Sequence, residues 1–151
     1  MSQPLWQPSA EQIQATNMAR FIETVNARHG TKIETYKDLW TWSTGEIDDF
    51  WKEVWDFCGV IAETQGERVL IDGNRMPGAQ FFPDARLNFA ENLMRGHAWK
   101  GDSHDALVFW GEDKVKRRVT RTELYDLVSR IAQALAAEGV GPGDRVAGYM
   151  P

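Results

Sequence analysis

Apolar residues recur at helical spacing through the first sixty positions and predict three helices there. The first helix begins at a capping box formed by Ser9 and Gln12 and ends at Gly30. The second begins near Thr35 and places its apolar side chains at Tyr36, Leu39 and Trp40. The beginning of the chain is therefore expected to be entirely helical.

The third predicted helix separates an apolar face from a charged face most clearly. Its positions advance by about 100° per residue, and Ser43 with Glu46 forms a second capping box before it. Gly59 ends the helix in the left-handed conformation. The apolar face consists of Ile47, Phe50, Trp51, Val54, Trp55, Phe57 and Cys58, and the charged face of Asp48, Asp49, Lys52, Glu53 and Asp56.

The middle of the chain is rich in turn signals. Residues 69–71 form a short strand candidate, and Asn88 can cap a short helix that ends before Gly96. The polar stretch 100–105 predicts a mobile loop.

The last third predicts two strands, a helix and a further strand. Residues 106–110 and 115–119 form a hairpin, and residues 145–150 form the last strand. Between them, a third capping box at Thr120 and Glu123 begins an amphipathic helix that Gly139 closes. Because ligand-binding loops leave the carboxyl ends of strands in open α/β sheets, we expect a chain ending after such a strand to be the amino-terminal piece of a larger enzyme.

These elements together predict an α+β fold taken from an α/β parent. We expect a helical extension over residues 1–60, then an irregular connector with a short helix over 61–104. Residues 105–151 then begin a larger domain as a β-β-α-β unit. The strands would form one small mixed sheet that packs with the long amphipathic helix.

Composition narrows the classes of function. The 151 residues carry a net charge of −5, which disfavours binding to nucleic acid or to anionic membranes, because phosphate binding depends on clustered Lys and Arg. No stretch approaches the ~20 apolar residues of a membrane span, and no secretory signal opens the chain. Cys58 is the only cysteine and is expected to be a small buried hydrophobe. We expect a cytoplasmic protein.

Motifs that would carry chemistry are missing from the sequence. The three histidines, His29, His97 and His104, have no zinc-binding spacing and are interpreted as surface residues. No phosphate-binding loop, dinucleotide fingerprint or nucleophile elbow occurs, and Gly139, Gly141 and Gly143 are turn residues. We therefore assign no catalytic, cofactor-binding or metal-binding residue.

Two clusters have a structural and a functional interpretation. The first is basic; its structural interpretation is a solvated strand face that discourages edge association, and its functional one is contact with a phosphorylated ligand. The second is aromatic and is expected to pack in a core or an interface, with a ligand platform as the alternative. The basic cluster contains Lys114, Lys116, Arg117, Arg118 and Arg121, and the aromatic cluster Trp40, Trp42, Trp51 and Trp55.

Three sequence blocks resemble the beginning of adenylate-forming acyl-CoA ligases of the acetoacetyl-CoA synthetase branch. They are residues 4–8 with the following helix, residues 75–93, and residues 120–124 with 139–151. The last block occurs widely among adenylate-forming enzymes. The middle block, with its aromatic pair Phe81-Phe82, is the sharper signal, although Phe81 replaces the expected Trp.

The resemblance implies a reaction in two steps. Acetoacetate attacks ATP to give an acyl-adenylate and pyrophosphate, and the thiol of coenzyme A then displaces AMP. ATP, Mg²⁺ and coenzyme A are the implied cofactors of the parent enzyme. The family motifs that would bind them do not occur in these 151 residues, so we expect the fragment to bind none of them and to be inactive alone.

Three alternatives stay open at this point. The parent could be an acetyl- or propionyl-CoA synthetase, because acyl specificity is set outside this segment. The chain could also be a free-standing interaction module whose aromatic helices bind a protein, or a short subunit that completes a split ligase. An unpaired edge at residues 145–150 further predicts self-association of the fragment.

Overall fold

A computed structural model describes residues 5–95, 98 and 101–149 and divides the chain into two compact units. The boundary between the units lies between Leu87 and Asn88. We call residues 5–87 the helical unit and residues 88–149 the hairpin unit. The α+β class is confirmed, whereas the predicted division at residues 60 and 104 stays a prediction.

The helical unit begins with four helices and continues with two short strands. The break between the first two helices corrects the single helix predicted over this stretch. The hydroxyl of Thr16 accepts a hydrogen bond from the Ala19 amide at 3.1 Å and begins a new helix, because a threonine N-cap competes with helix continuation. The elements are α1 (Ala10–Gln14), α2 (Asn17–His29), α3 (Tyr36–Gly45), α4 (Ile47–Cys58), β1 (Leu70–Ile71) and β2 (Gln80–Phe81).

Local capping explains most of the helix boundaries. The predicted caps at Ser9 and Gly59 are confirmed, and Gly59 adopts φ 62°, which only glycine reaches without strain. The second predicted helix begins after Thr35, as expected, and the structure adds a capping box between Thr35 and Asp38. The predicted capping box before α4 is wrong. Ser43 lies inside α3, where its hydroxyl donates to the Trp40 carbonyl, and Glu46 begins α4 without a side-chain bond.

The core of the helical unit lies between α2, α3 and α4. Its buried residues are Phe21 and Val25 of α2, Ile33 and Leu39. Ring contacts extend this core, since Phe21 meets the edges of two rings from α4, with centroids at 6.1 Å for Phe50 and 5.2 Å for Phe57. Half-buried apolar side chains complete it: Ile22, Trp42, Phe50, Val54 and Phe57.

The turn-rich segment after α4 packs back onto α4 through two aromatic residues. Strands β1 and β2 pair antiparallel, with Leu70 opposite Phe81. Phe81 contacts Trp51 with ring centroids 5.6 Å apart, and Phe82 contacts Trp55 at 4.6 Å. Phe82 has φ 45°, a conformation that costs a bulky residue energy and that persists because the surrounding contacts hold it.

The described residues of the hairpin unit form one short helix, two antiparallel strands and one long helix. The predicted caps at Asn88 and Thr120 are confirmed, and Gly139 closes the long helix at φ 83°. In the hairpin, Phe109 lies opposite Arg117 and Trp110 opposite Lys116. The elements are α5 (Phe89–Leu93), β3 (Asp105–Trp110), β4 (Lys116–Thr120) and α6 (Arg121–Ala137).

The strand predicted over residues 145–150 does not form in the described part of this stretch, residues 145–149. A strand exists only through hydrogen bonds to a neighbour, and no described segment pairs with these residues. The predicted mixed sheet is therefore also wrong. The described strands form two separate antiparallel pairs.

Candidate functional site

The most buried charged group in the described residues is the carboxylate of Glu53 on α4. The residue is 4% exposed, although the helical pattern places it on the charged face. Its Oε2 accepts a hydrogen bond from Arg28 Nη1 at 2.9 Å, and its Oε1 lies 3.1 Å from Nε2 of His29. Both partners come from the last turn of α2, so this carboxylate joins α2 to α4.

A second layer of carboxylates surrounds this cluster. Arg28 also donates to Asp56 at 3.0 Å, and Nδ1 of His29 lies 3.7 Å from Asp49. The hydrogen bond and charge of Glu53 hold the pKa of the Arg28 guanidinium above its usual value. His29 is half-buried against Trp42, so the interpretation of His29 as a surface residue is wrong. Because Glu53 contacts two side chains of α2, the arrangement fits a structural link between α2 and α4.

An apolar groove lies between α2, α3 and α4. It has a volume of about 340 Å³, and its lining combines rings of α3 and α4 with Met18 and Phe21 of α2. Cys58 lies at its margin and is exposed, which corrects the prediction that this cysteine is buried. The correction has a simple cause, because Cys58 is the last residue of α4 and the helix face ends there.

The four clustered tryptophans divide between packing and exposure. Trp42 and Trp55 are half-buried and take part in ring contacts, as predicted for a packing cluster. Trp40 and Trp51 are 56% and 40% exposed, and Trp51 contacts Phe50 and Phe81 through its edges. Trp42 and Trp51 therefore belong to one series of ring contacts that runs from α3 through Phe50 to Phe81, whereas Trp55 forms a separate pair with Phe82.

Three of the five residues of the basic cluster have partners within their own unit. Arg118 forms an ion pair with Asp105, Arg121 one with Asp102, and the Lys116 ammonium lies 4.3 Å from the centre of the Trp110 ring. These pairs come from neighbouring strands and from the start of α6, so the cluster is a solvated strand face with internal partners. Cations already engaged in this way favour the structural interpretation over contact with a phosphorylated ligand.

Asp102 organises the loop that was predicted to be mobile. Its Oδ1 accepts from the His104 amide at 2.8 Å, and its Oδ2 accepts from Arg121 at 2.9 Å. The His104 amide, the His104 ring and Arg121 together hold the pKa of this carboxyl well below its usual range. The carboxylate therefore anchors the start of α6 to the loop before β3.

The other features considered in the sequence are two histidines, metal-binding groups and membrane-spanning helices. His104 is exposed, as predicted, whereas His97 lies outside the described residues. Where the structure is described, no group of three His, Cys, Asp or Glu side chains could hold a metal ion. Within those same residues, no helix is both long and apolar enough to cross a bilayer.

Several known proteins are similar in sequence to this chain. Residues 36–93 match the family model described as the acetyl-coenzyme A synthetase N-terminus. An acetoacetyl-coenzyme A synthetase of Rhizobium meliloti (strain 1021) is 51% identical over 148 residues, 98% of this chain and 22% of that protein. A malonamoyl-CoA synthetase of Penicillium aethiopicum is 36% identical over 149 residues, 97% of this chain and 20% of that protein.

A solved structure gives the same result. The acetoacetyl-CoA synthetase of Streptomyces lividans matches with a TM-score of 0.83 and 42% identity, over 99% of this chain and 23% of that protein. The chain is homologous to the amino-terminal part of acetoacetyl-CoA synthetases. It spans about a fifth of the length of the relatives it matches.

The resemblance found in the sequence is thereby confirmed, and the structure shows what its sharpest block does. Within residues 75–93, Phe81 and Phe82 contact the rings of Trp51 and Trp55 on α4. The Arg86 amide donates to the Thr64 carbonyl at 2.9 Å. Arg68 also donates to Asp84 at 2.8 Å. These contacts attach the block to α4 and to the segment that follows α4.

Sequence reasoning missed Glu53 and Asp102 as organising residues. The helical period places Glu53 on the charged face of α4, which is expected to face solvent. Periodicity alone therefore does not predict that this residue is buried. A signal was nevertheless available, because an Arg-His pair ends α2 and an acidic face begins α4. The sequence does not show that these two faces meet, because α3 lies between α2 and α4 along the chain.

Proposed function

We propose that the chain is the amino-terminal framework of an AMP-forming acid–thiol ligase that makes acetoacetyl-CoA. The proposal is supported by 51% identity to an acetoacetyl-coenzyme A synthetase over 98% of the chain. The proposed enzyme uses ATP, Mg²⁺ and coenzyme A, acts on acetoacetate as a small-molecule substrate, and works in the cytoplasm. No nucleic acid or membrane partner forms part of the proposal.

The proposed reaction has two group-transfer steps. A carboxylate oxygen of acetoacetate attacks the α-phosphorus of ATP, and the bond to pyrophosphate breaks. The sulfur of coenzyme A then attacks the acyl carbonyl, the thiol proton leaves to a base, and AMP departs. Both steps concentrate negative charge, which calls for backbone amides, a lysine and Mg²⁺ around the phosphates.

The residues of this chain do not fit that catalytic role. The sequence has no glycine-rich phosphate loop, and in the described residues no group of three His, Cys, Asp or Glu side chains could hold a metal ion. We therefore derive no catalytic step through this chain and place ATP, Mg²⁺ and coenzyme A on the rest of the enzyme. The proposed contribution of this chain is a rigid support, with residues 1–60 as a helical extension, 61–104 as a connector and 105–151 as the beginning of the large domain.

A chimera tests the proposal. The segment of the Rhizobium meliloti enzyme that matches this chain is replaced by the 151 residues, and acetoacetate-dependent release of pyrophosphate and consumption of coenzyme A are measured. We expect turnover within about tenfold of the parent enzyme, because half of the aligned residues are identical. The 151 residues alone should give no acetoacetate-dependent exchange between ATP and pyrophosphate, and measurable exchange would refute the framework role.

The chimera should also be tested with acids other than acetoacetate as substrates. One relative with 36% identity is named a malonamoyl-CoA synthetase, so homologues of this segment occur in ligases of different short acids. Malonamate, acetate and propionate therefore serve as competing substrates in the same chimera. Specificity that stays with the Rhizobium part of the chimera supports a framework role for this chain, and specificity that moves with the 151 residues contradicts it.

A further inference from the structure

Arg20 on α2 differs from the other arginines of the helical unit in having no carboxylate partner among residues 5–87. Its guanidinium donates to the neutral Oδ1 of Asn17 at 3.2 Å and lies 5.8 Å from the centre of the Phe57 ring. A guanidinium carries five N–H donors, so Arg20 keeps a full positive charge and has donors for an anion from outside the unit. The other four arginines each form an ion pair with a carboxylate: Arg28, Arg68, Arg75 and Arg86.

Both partners of Arg20 line the apolar groove between α2, α3 and α4. Asn17 and Phe57 belong to its lining, and no Asp, Glu, Lys or Arg side chain does. The groove volume of about 340 Å³ lies within the range of roughly 300–1,000 Å³ that is usual for small-molecule sites. The groove therefore combines an uncharged wall with one positive charge next to two of its lining residues.

This combination is complementary to an amphipathic anion. The groove is accessible from solvent, because Met18, Tyr36 and Trp40 on its wall are 46%, 69% and 56% exposed. A hydrocarbon chain would displace water from these side chains, and its acidic group would accept hydrogen bonds from Arg20. One guanidinium matches one carboxylate in geometry and charge. A doubly charged phosphate would keep a charge without a partner beside an apolar wall.

We propose that this groove binds a small amphipathic monocarboxylate, with the hydrocarbon chain between α2, α3 and α4 and the carboxylate at Arg20. Charge complementarity between the groove and this ligand class supports the choice. Acetoacetate is short and carries a polar ketone, so it offers little hydrocarbon to the wall. The inference goes beyond the proposed function, and binding is tested without ATP, coenzyme A or turnover.

The test compares three ligands that share one chain and differ in the head group. Octanoate, 1-octanol and octylamine are titrated into the 151-residue chain, and their dissociation constants are measured by calorimetry. For octanoate we expect a dissociation constant at or below about 1 mM. Binding of 1-octanol should be at least about fivefold weaker, because it lacks the charge-assisted bond to Arg20. Octylamine and acetoacetate should bind more weakly still.

A second measurement locates the ligand. Cys58 is the only cysteine of the chain and lies exposed at the margin of the groove. The rate of its alkylation by iodoacetamide therefore reports occupancy of the groove, and saturating octanoate should slow it.

Substitution of Arg20 tests the charged end of the site. Arg20→Gln should weaken octanoate binding at least about fivefold and change 1-octanol binding by less than about twofold. Arg20→Lys keeps the charge and should restore most of the affinity for octanoate. Arg75→Gln is the matched control, because it removes the same charge from another exposed arginine of the helical unit, outside the groove lining. It should change octanoate binding by less than about twofold.

Ser43→Phe tests the apolar part of the site, because Ser43 lies on the groove wall and a phenyl ring there would occupy the groove. Octanoate and 1-octanol should both bind at least about tenfold more weakly to this variant. Circular dichroism establishes that its helices still form, and the exposed Arg20 series provides a test that does not depend on this variant.

Four results would overturn the proposal. Two are the absence of octanoate binding at ten times the expected dissociation constant, and octanoate binding that Arg20→Gln leaves unaltered. Another is full binding to a correctly folded Ser43→Phe, which would place the ligand elsewhere. The last comes from the chimera with the Rhizobium meliloti enzyme, in which mass spectrometry identifies the alkylated peptide. If Cys58 is unreactive there without octanoate, the rest of the enzyme covers the groove.

Discussion

Helices α2 and α6 are both amphipathic, yet only α2 buries its apolar face. Phe21 and Val25 of α2 are buried among α3 and α4, whereas α6, with 17 residues, has no buried residue. The same contrast holds for the whole of each unit, since no described residue of the hairpin unit is buried. The helical unit contains its own core, and the hairpin unit presents apolar surface without one.

This difference in burial indicates where the stability of each unit comes from. Burial of apolar side chains is the main favourable term in folding, so the helical unit has the means to fold within these residues. The hairpin unit depends on capping, ion pairs and ladder hydrogen bonds, each of which contributes little alone. A segment of this second kind is suited to become part of a larger core.

Replacing a buried ring should show the largest contrast. Phe21→Ala removes a buried side chain and its edge contacts with Phe50 and Phe57, so the free energy of unfolding of the helical unit should fall by about 3–5 kcal/mol. Denaturant unfolding followed by the circular dichroism of the chain measures this loss. Phe89→Ala is the control, since Phe89 is 77% exposed and its removal should change stability by less than about 0.5 kcal/mol. Equal losses for the two variants would contradict the contrast between the units.

Neutralising the buried carboxylate should show the next largest effect. Glu53→Gln keeps the size of the side chain but weakens the bonds from Arg28 and His29, and should lower the free energy of unfolding by about 1–2 kcal/mol. Glu63→Gln is the matched control, because Glu63 is exposed and pairs with exposed Arg86 in the same unit. Its effect should stay within about 1 kcal/mol. If Glu53→Gln has no effect on thermal unfolding, the link between α2 and α4 contributes nothing to stability.

Some of these features could be predicted from the sequence alone, and others could not. Caps at Ser9, Asn88 and Thr120 were predictable because they are local, and so was the hairpin of β3 and β4. Burial of Glu53 was not, since it depends on which helix lies beside α4. The failed strand at residues 145–149 has the same cause, because its pattern is local but its hydrogen bonds require a neighbour.

Capping boxes of the same kind occur in both units, so the loss of each one compares the stability of the two units directly. Thr35 and Thr120 each form a capping box, with Asp38 and Glu123 respectively. Each Thr→Ala change should cost about 1 kcal/mol of helix stability. In the helical unit the core masks the loss, so helicity at 25 °C should stay constant for Thr35→Ala, whereas Thr120→Ala should reduce the helical signal measurably. Far-ultraviolet circular dichroism tests this, and a larger loss for Thr35→Ala would contradict the assignment of stability to the two units.

Acid should affect the hairpin unit through Asp102, with the smallest of these effects. The His104 amide and ring and Arg121 lower the folded-state pKa of this carboxyl below its unfolded value of 3.8, so its contribution is complete above that value. The contribution is lost as the pH falls through the lowered folded-state pKa. Asp102→Asn should therefore destabilise the start of α6 at pH 7 and make no difference at the acid end of the titration. Amide exchange at Arg121 and Thr122, compared between wild type and Asp102→Asn from pH 7 downward, should show the two curves converging in acid, because protonation removes from the wild type the same charge that the substitution removes.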